Sequence, residues 1–227
     1  MLHCFIGSLM DSLRANTIRL ALISINTAAA EAGETVCIHL SYNKSGGYVP
    51  SIERWHPNTD IKIYPQKESL SQFQHIKFIL DNNFFGDDDW VMFHDDDDIS
   101  LINRITVFKK NCNDCDVFRA KLVRPSTDNV YKSYNLPSEF DFGCMFSKVK
   151  VLREFFLFKH YPTIEITPEI LDFTISSRTC DCIFTGWITR SNFVTKSVDD
   201  VTYIAFYREA SNYFRSKYLF AVPSRFM

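Results

Sequence analysis

The chain has 227 residues, 46% of them hydrophobic, with 21 Phe and 10 Tyr: enough apolar surface for a substantial core and too much for a disordered protein. Its formal net charge of -2 gives no global electrostatic case for nucleic acid or an anionic membrane as partner. The longest apolar run, Ile18 to Ala30, is broken by Arg19, Ser24, Asn26 and Thr27, so neither a membrane span nor a secretory signal is expected.

Leu2 to Ile6 opens the chain as a core strand, and Asp11 to Glu31 follows as a helix capped near Asp11 or Ser12. Thr35 to Leu40, TVCIHL, is a second strand that runs into the turn-rich SYNKSGGY. Asp60 to Tyr64 is a short third strand. Ser69 to Leu80 carries Phe73, Ile76, Lys77 and Leu80 at helical spacing. Trp90 to Phe93 is a fourth strand, Leu101 to Lys110 a helix, and Cys115 to Val123 a strand. Beyond these, FDFGCMFS reads as a strand, Lys148 to Lys159 as an aromatic-rich helix, and TPEILDFTISS as a helix with Pro168 in its first turn. The last fifty residues, with FTGWITRSNFVTKS and an aromatic, basic tail from Tyr203 to Phe226, receive no assignment.

Strand-helix alternation through the first hundred residues predicts an α/β fold whose mixed, mostly parallel central sheet is flanked by helices. No linker or repeat divides the chain, so residues 1–227 are expected to form one domain. Seven cysteines, an odd and scattered set, predict reduced thiols in a cytosol-like compartment. Cys112-Asn-Asp-Cys115 and Cys180-Asp-Cys182 lack the paired knuckles of structural zinc and read as unpaired thiols near element ends.

The chemistry concentrates in WVMFHDDDDIS, where a greasy strand runs straight into Asp95, Asp96, Asp97 and Asp98. Like charges about 4 Å apart repel by roughly 1 kcal/mol in water and by more where solvent is scarce. Such a run costs least when it is fully solvated or holds a cation. Ligands of open α/β sheets bind outside the carboxyl ends of the strands, which is where this run falls. Side chains alternate along extended backbone, so Asp95 and Asp97 face one way while Asp96 and Asp98 face the other. One pair suits a hard divalent cation, Mn²⁺ or Mg²⁺, completed by substrate phosphates. The other pair is left for hydrogen bonds or water.

VMFHDDDDI resembles the strand-plus-DXD element of GT-A fold glycosyltransferases, which use nucleotide-diphosphate sugars. The resemblance covers roughly residues 2 to 175 and implies a GT-A-like, Rossmann-type sandwich, with a donor-binding half near 1–110 and an acceptor-side half near 111–227. It implies Asp97 as principal metal ligand, with Asp95 touching metal or ribose, and a UDP- or GDP-sugar donor. It also implies a glycan or glycoprotein acceptor. The helix SQFQHIKFILDNN sits where family members carry residues beside the donor, which brings in Gln74 and His75. Compact enzymes of large DNA viruses share a similar Gln-x-x-His and poly-Asp look, which would set the protein in host cytoplasm. Two departures stand out: FIGSLMD replaces the family's Pro-Thr-Tyr-Asn after the first strand, and its Glu-Asp pair appears only as the spaced PEILD.

Transfer with inversion needs a general base beside the acceptor hydroxyl. Glu169 and Asp172 lie three apart on one helical face, and Asp172 is the first choice. Both also suit a helix start through its dipole. Ser41, in the loop reading of SYNKSGGY, is a candidate for approaching the donor base. His94 should pack or hydrogen-bond behind the acidic run, Arg104 should serve the surface or pair along its helix, and Trp187 should be core. Rival functions are a nucleotidyltransferase, a phosphatase, and a non-catalytic cation-binding interaction domain. GSLMDSLR is too poor in glycine for the first, and the acidic run comes too late in the chain for the second.

Overall fold

The computed structural model describes residues 1–10, 14–44, 57–125, 131–133, 142–157, 167–177 and 180–205. The proposed cap at Asp11 or Ser12, the Ser45–Tyr48 end of SYNKSGGY and nearly all of the basic tail lie outside them. Six helices and nine strands follow one another. They are β1 (Leu2–Met10), α1 (Arg14–Glu31), β2 (Val36–Lys44), β3 (Thr59–Gln66), α2 (Gln72–Asp81), β4 (Trp90–Phe93), β5 (Ile99–Ser100) and α3 (Arg104–Asn111). Then come β6 (Val117–Pro125), β7 (Tyr131–Ser133), β8 (Met145–Lys148), α4 (Val149–Phe156), α5 (Pro168–Ser176), α6 (Cys180–Arg190) and β9 (Thr195–Ile204).

All nine strands join one sheet in the order β3-β2-β1-β4-β8-β6-β9-β5, with β7 on β6. The long ladders, β1 on β2 and β2 on β3, are parallel, as is β1 on β4, whereas the antiparallel pairings are short. This is the mixed α/β sandwich that the alternating pattern predicts. Strands β1 and β2 run farther than their apolar stretches, because their register continues to Met10 opposite Lys44. Ladder hydrogen bonds there outweigh the turn-like composition of GSLM and SYNK.

Helices cover both faces. On one, α1 presents Ile18, Ala21, Leu22, Ile25, Ala28 and Ala29 at intervals of three and four, all buried against the sheet. On the other, Phe73, Ile76 and Ile79 of α2 pack with Val151, Leu152 and Phe155 of α4 and with Phe184 and Trp187 of α6. Burying each such side chain stabilises by about 1.5–3 kcal/mol. Trp187 is core, as expected. All seven cysteines are free thiols. No helix among the described residues is long and apolar enough to cross a membrane.

Arg104 overturns its sequence expectation. It is neither on the surface nor pairing along α3, but fully buried. Its guanidinium donates to Phe93 O at 2.7 Å, Gly143 O at 2.5 Å and Ser100 Oγ at 2.9 Å. The Tyr203 ring lies 4.5 Å from its central carbon. A buried charge is tolerated only when it is compensated; here hydrogen bonds tie the end of β4 to β5 and to the segment before β8, and the Tyr203 ring adds a contact from β9.

Replacing Arg104 by Leu strands two buried carbonyl oxygens, each worth about 1–3 kcal/mol. The substitution should lower the unfolding free energy by roughly 3 kcal/mol or more. A urea midpoint equal to that of the wild type would show that the strand ends do not depend on this clamp.

Candidate active site

A cleft of about 810 Å³ opens at the carboxyl ends of β1 and β4. Its wall includes Gly7–Leu9 of β1, Arg14 of α1, Ser69–His75 around the start of α2, Phe142 and Gly143 before β8, and Ser176 and Ser177 at the end of α5. Asp95–Asp98 form its floor. The volume suits a small-molecule ligand of nucleotide size.

The four aspartates lie in a turn beyond β4 and differ in burial. Asp96 and Asp98 are buried, whereas Asp95 and Asp97 are half-exposed to the cleft. Arg14 grips Asp96 through both carboxylate oxygens at 2.7 and 2.9 Å, and Ser8 Oγ donates a further short bond. Burial nevertheless pushes the Asp96 carboxyl up to about 6, against the pull of Arg14 and aided by the charge of Asp97. The ion pair is therefore what makes a charge at Asp96 tolerable in this position. Neither Ser8 nor Arg14 was singled out by sequence. Arg14 lies 82 residues from Asp96, and only the parallel neighbourhood of β1 and β4 brings them together.

The turn itself is held from behind. The Asp95 backbone N–H donates to Tyr203 Oη at 3.1 Å, and His94 Nδ1 donates to Asp95 O at 2.6 Å. His94 is buried, as expected, and burial together with the nearby Arg104 lowers it to about 3. Gly143 is required here, because a Cβ would sit 2.5 Å from the Tyr203 ring.

Helix α2 aims its first turn into the cleft. Ser71 caps it and Gln74 closes a capping box with Ser71. Gln72 Nε2 donates to Asp95 Oδ1, and Gln74 Nε2 donates to Asp172 Oδ1 at 3.0 Å. Gln74 thus stands in the cleft as predicted and carries a link to α5. Gln72, one helical residue pair earlier, was passed over. His75 also lines the cleft but is almost fully buried, with Nδ1 2.8 Å from Ser41 Oγ. Ser41 in turn accepts from Gln66 Nε2 at 3.0 Å. Ser41 belongs to strand β2 rather than a loop, is fully buried, and reaches the cleft only through His75. Gly7 allows this approach, since a Cβ there would meet His75 Cβ at 3.0 Å.

Asp172 is exposed on α5, is not among the residues that line the cleft, and meets it through Gln74. Glu169 is exposed in the first turn of α5 and is not among the cleft residues. A hydrogen bond with Thr167, the helix cap, holds its carboxyl below the ordinary value. The cleft-facing donors Asp95 and Asp97 offer oxygen alone, which fits Mn²⁺ or Mg²⁺ and not a softer metal.

No protein-family model and no curated protein matches the chain. Solved structures do. Staphylococcus aureus TarS 1–349 superposes with a TM-score of 0.63 at 14% identity, covering 99% of this chain and 67% of its own. The same protein in complex with UDP-GlcNAc gives 0.60 at 13%, covering 99% and 68%. The mannosyltransferase PcManGT from Pyrobaculum calidifontis, in complex with GDP-Man and Mn²⁺, gives 0.63 at 15%, covering 90% and 56%. The chain therefore spans between about half and two thirds of these neighbours. It has their GT-A fold.

Burial lowers the His75 pKa from an ordinary 6.5 to about 4. Between those values the unfolded chain binds one more proton at this site, so stability rises with pH there and its full contribution is present above pH 6.5. Acidification from pH 6 to pH 5 should thus cost roughly 1 kcal/mol through His75. His75→Gln should remove that share of the slope, as read by urea unfolding across the window. An unchanged slope would mean that His75 titrates normally in the fold.

Proposed function

We propose that the protein is a metal-dependent glycosyltransferase that moves a sugar from a nucleoside-diphosphate donor to an acceptor hydroxyl. The observation that carries this reading is the pair Asp95 and Asp97 facing a nucleotide-sized cleft at the end of β4, in a fold shared with such enzymes. TarS and PcManGT hold UDP-GlcNAc and GDP-Man with Mn²⁺ respectively, so a UDP- or GDP-sugar is the donor class to test first. The acceptor class is a glycan or glycoprotein. The free thiols agree with a reducing compartment such as cytoplasm.

Each residue then has a physical task. Asp95 and Asp97 would hold Mn²⁺ or Mg²⁺, which when bound supplies positive charge beside the diphosphate. Gln72 fixes the Asp95 carboxylate, and Arg14 with Ser8 neutralises Asp96 so that only one carboxylate pair faces the donor. Gln74 holds Asp172 at the rim, where it would take the proton of the acceptor hydroxyl if the anomeric centre inverts. Glu169 is the weaker candidate for that role, because its hydrogen bonding is spent on its own helix cap.

A panel of nucleotide sugars scored by thermal shift tests the reading, since a ligand stabilises in proportion to its occupancy of the folded state. One of the UDP- or GDP-sugars should raise the melting temperature only when Mn²⁺ or Mg²⁺ is present. Metal uptake with no nucleotide effect would favour an interaction domain instead.

Asp97→Asn should abolish metal-dependent donor turnover and the matching thermal shift while leaving the metal-free melting temperature within a degree or two, about the change expected of a half-exposed substitution. Near-normal turnover would remove Asp97 from the ligand set. Asp172→Asn should preserve donor binding but slow transfer by about 10²–10⁴-fold, the usual worth of a positioned base. Transfer at the wild-type rate would dismiss Asp172 as base.

A further inference from the structure

At the opposite end of the sheet from the cleft, three residues form a cluster that the proposed transfer does not use. His3 lies at the start of β1, and Cys37 and His39 at the start of β2. The parallel register sets His3 beside Cys37, and Cys37 and His39, two apart on one strand, share that face. All three are buried, under Phe85, whose ring centre is 4.8 Å from that of His3 and 5.2 Å from that of His39.

We propose that His3 Nδ1, His39 Nε2 and Cys37 Sγ bind a zinc ion that pins β1 to β2. The three donor atoms lie within 4.8 Å of one another. His3 Nδ1 is 3.2 Å from His39 Nε2, and Cys37 Sγ is 3.3 Å from the same nitrogen. Zinc bonds of 2.0–2.1 Å to nitrogen and 2.3 Å to sulfur set tetrahedral edges of about 3.3 Å between nitrogens and about 3.6 Å between nitrogen and sulfur. Those two edges need shifts of only a few tenths of an ångström to accept the ion, and the third, from His3 Nδ1 to Cys37 Sγ, lies within 4.8 Å.

The surrounding groups orient both rings. Tyr64 Oη donates to Asn83 Oδ1 at 2.8 Å, so its lone pair faces His39 Nδ1 at 3.0 Å and takes the proton there. That leaves the Nε2 lone pair of His39 turned into the cluster. The outward nitrogen of His3, Nε2, is 3.7 Å from Asp89 Oδ2. A carboxylate behind one ligating histidine and a hydroxyl behind the other is the supporting shell that zinc histidines need. His3 Nδ1 and His39 Nε2 stand 3.2 Å apart; with the His3 proton carried on Nε2, on the Asp89 side, both lone pairs would be turned to a shared cation. Asp60 Oδ2, 3.9 Å from Cys37 Sγ, or a water completes the tetrahedron. Binding expels the thiol proton of Cys37 to solvent, and no redox change is involved. Imidazole with thiolate selects zinc over the hard cations suited to the aspartates.

The untagged full-length protein, stripped with chelator and titrated with Co²⁺, provides the test. A thiolate-to-cobalt charge-transfer band in the near ultraviolet should saturate at one equivalent and bleach on addition of Zn²⁺. Cys37→Ser should lose the band, whereas Asp97→Asn should keep it, because oxygen ligands give no such transition. Should Cys37→Ser fold poorly, Cys37→Ala replaces it and should lose the band in the same way. Saturating Co²⁺ without the band would overturn the proposal and leave a purely hydrogen-bonded trio. A band undiminished in folded Cys37→Ser would overturn it too, by placing the metal on another cysteine.

Discussion

Four adjacent carboxylates cannot share one environment, and the fold answers that constraint before it does anything else. Beyond β4 the run folds into a turn, with the Asp98 N–H donating to Asp95 O at 3.4 Å. Asp96 and Asp98 are buried at the base of the cleft while Asp95 and Asp97 are partly exposed there. The buried pair needs compensation. Arg14 and Ser8 supply it for Asp96, and both come from the neighbouring β1–α1 unit. The result is a cleft floor on which two of the four carboxylates are partly exposed. This matters chemically: a diphosphate brought against four unneutralised charges would be repelled, whereas two are what a single divalent cation can offset.

Holding that floor in place requires a second buried charge of opposite sign. Arg104 sits behind the acidic turn and binds backbone oxygens from β4 and from the segment before β8. Tyr203 of β9 lies over its guanidinium and accepts from the Asp95 N–H. Strands distant in sequence thus converge on one turn. Positioning of this kind is worth more than extra contact area, because the geometry of a cation site tolerates little displacement. Gly143 belongs to the same arrangement, since any side chain there would displace the Tyr203 ring.

What could be read from the sequence was whatever local pattern determines. Trp90–Phe93 was found residue for residue, because four apolar positions are bounded by an aspartate on one side and His94 on the other. Gln74 and His75 became candidates only through the family resemblance of their helix, whose first turn does line the cleft. Long-range partnerships left no trace. Nothing in the residues around Arg14 or Tyr203 marks them as neighbours of Asp96 and Asp95. Arg104 was misjudged because an arginine with exposed lysines nearby reads as surface, and only the carbonyls it meets in the fold justify its burial. Helix α6 escaped notice because Gly186 interrupts CDCIFTGWITR. Strand β9 escaped because it is mostly exposed until its last residues, so it shows no period of two. His3 in β1 and the CIH tripeptide at the start of β2 were read only as core strand, because parallel register, not spacing along the chain, brings them together.

The two ends of the parallel sheet now contrast in donor chemistry, and the contrast follows from solvent. At the carboxyl end, loops splay apart and leave a wet cleft, where charged oxygen donors survive and a weakly held, exchangeable cation can act together with a diphosphate. At the amino end, Phe85 packs over His3 and His39. Neutral imidazoles and a thiol are the polar groups buried there, with the Asp60 and Asp89 carboxylates at their edge. A cation held by that second set exchanges slowly and fixes strand to strand, while one held by the first must leave with its ligand. On the two proposed assignments, the same register that lines up β1 with β2 and β4 yields a site built for turnover at one end and a site built for permanence at the other.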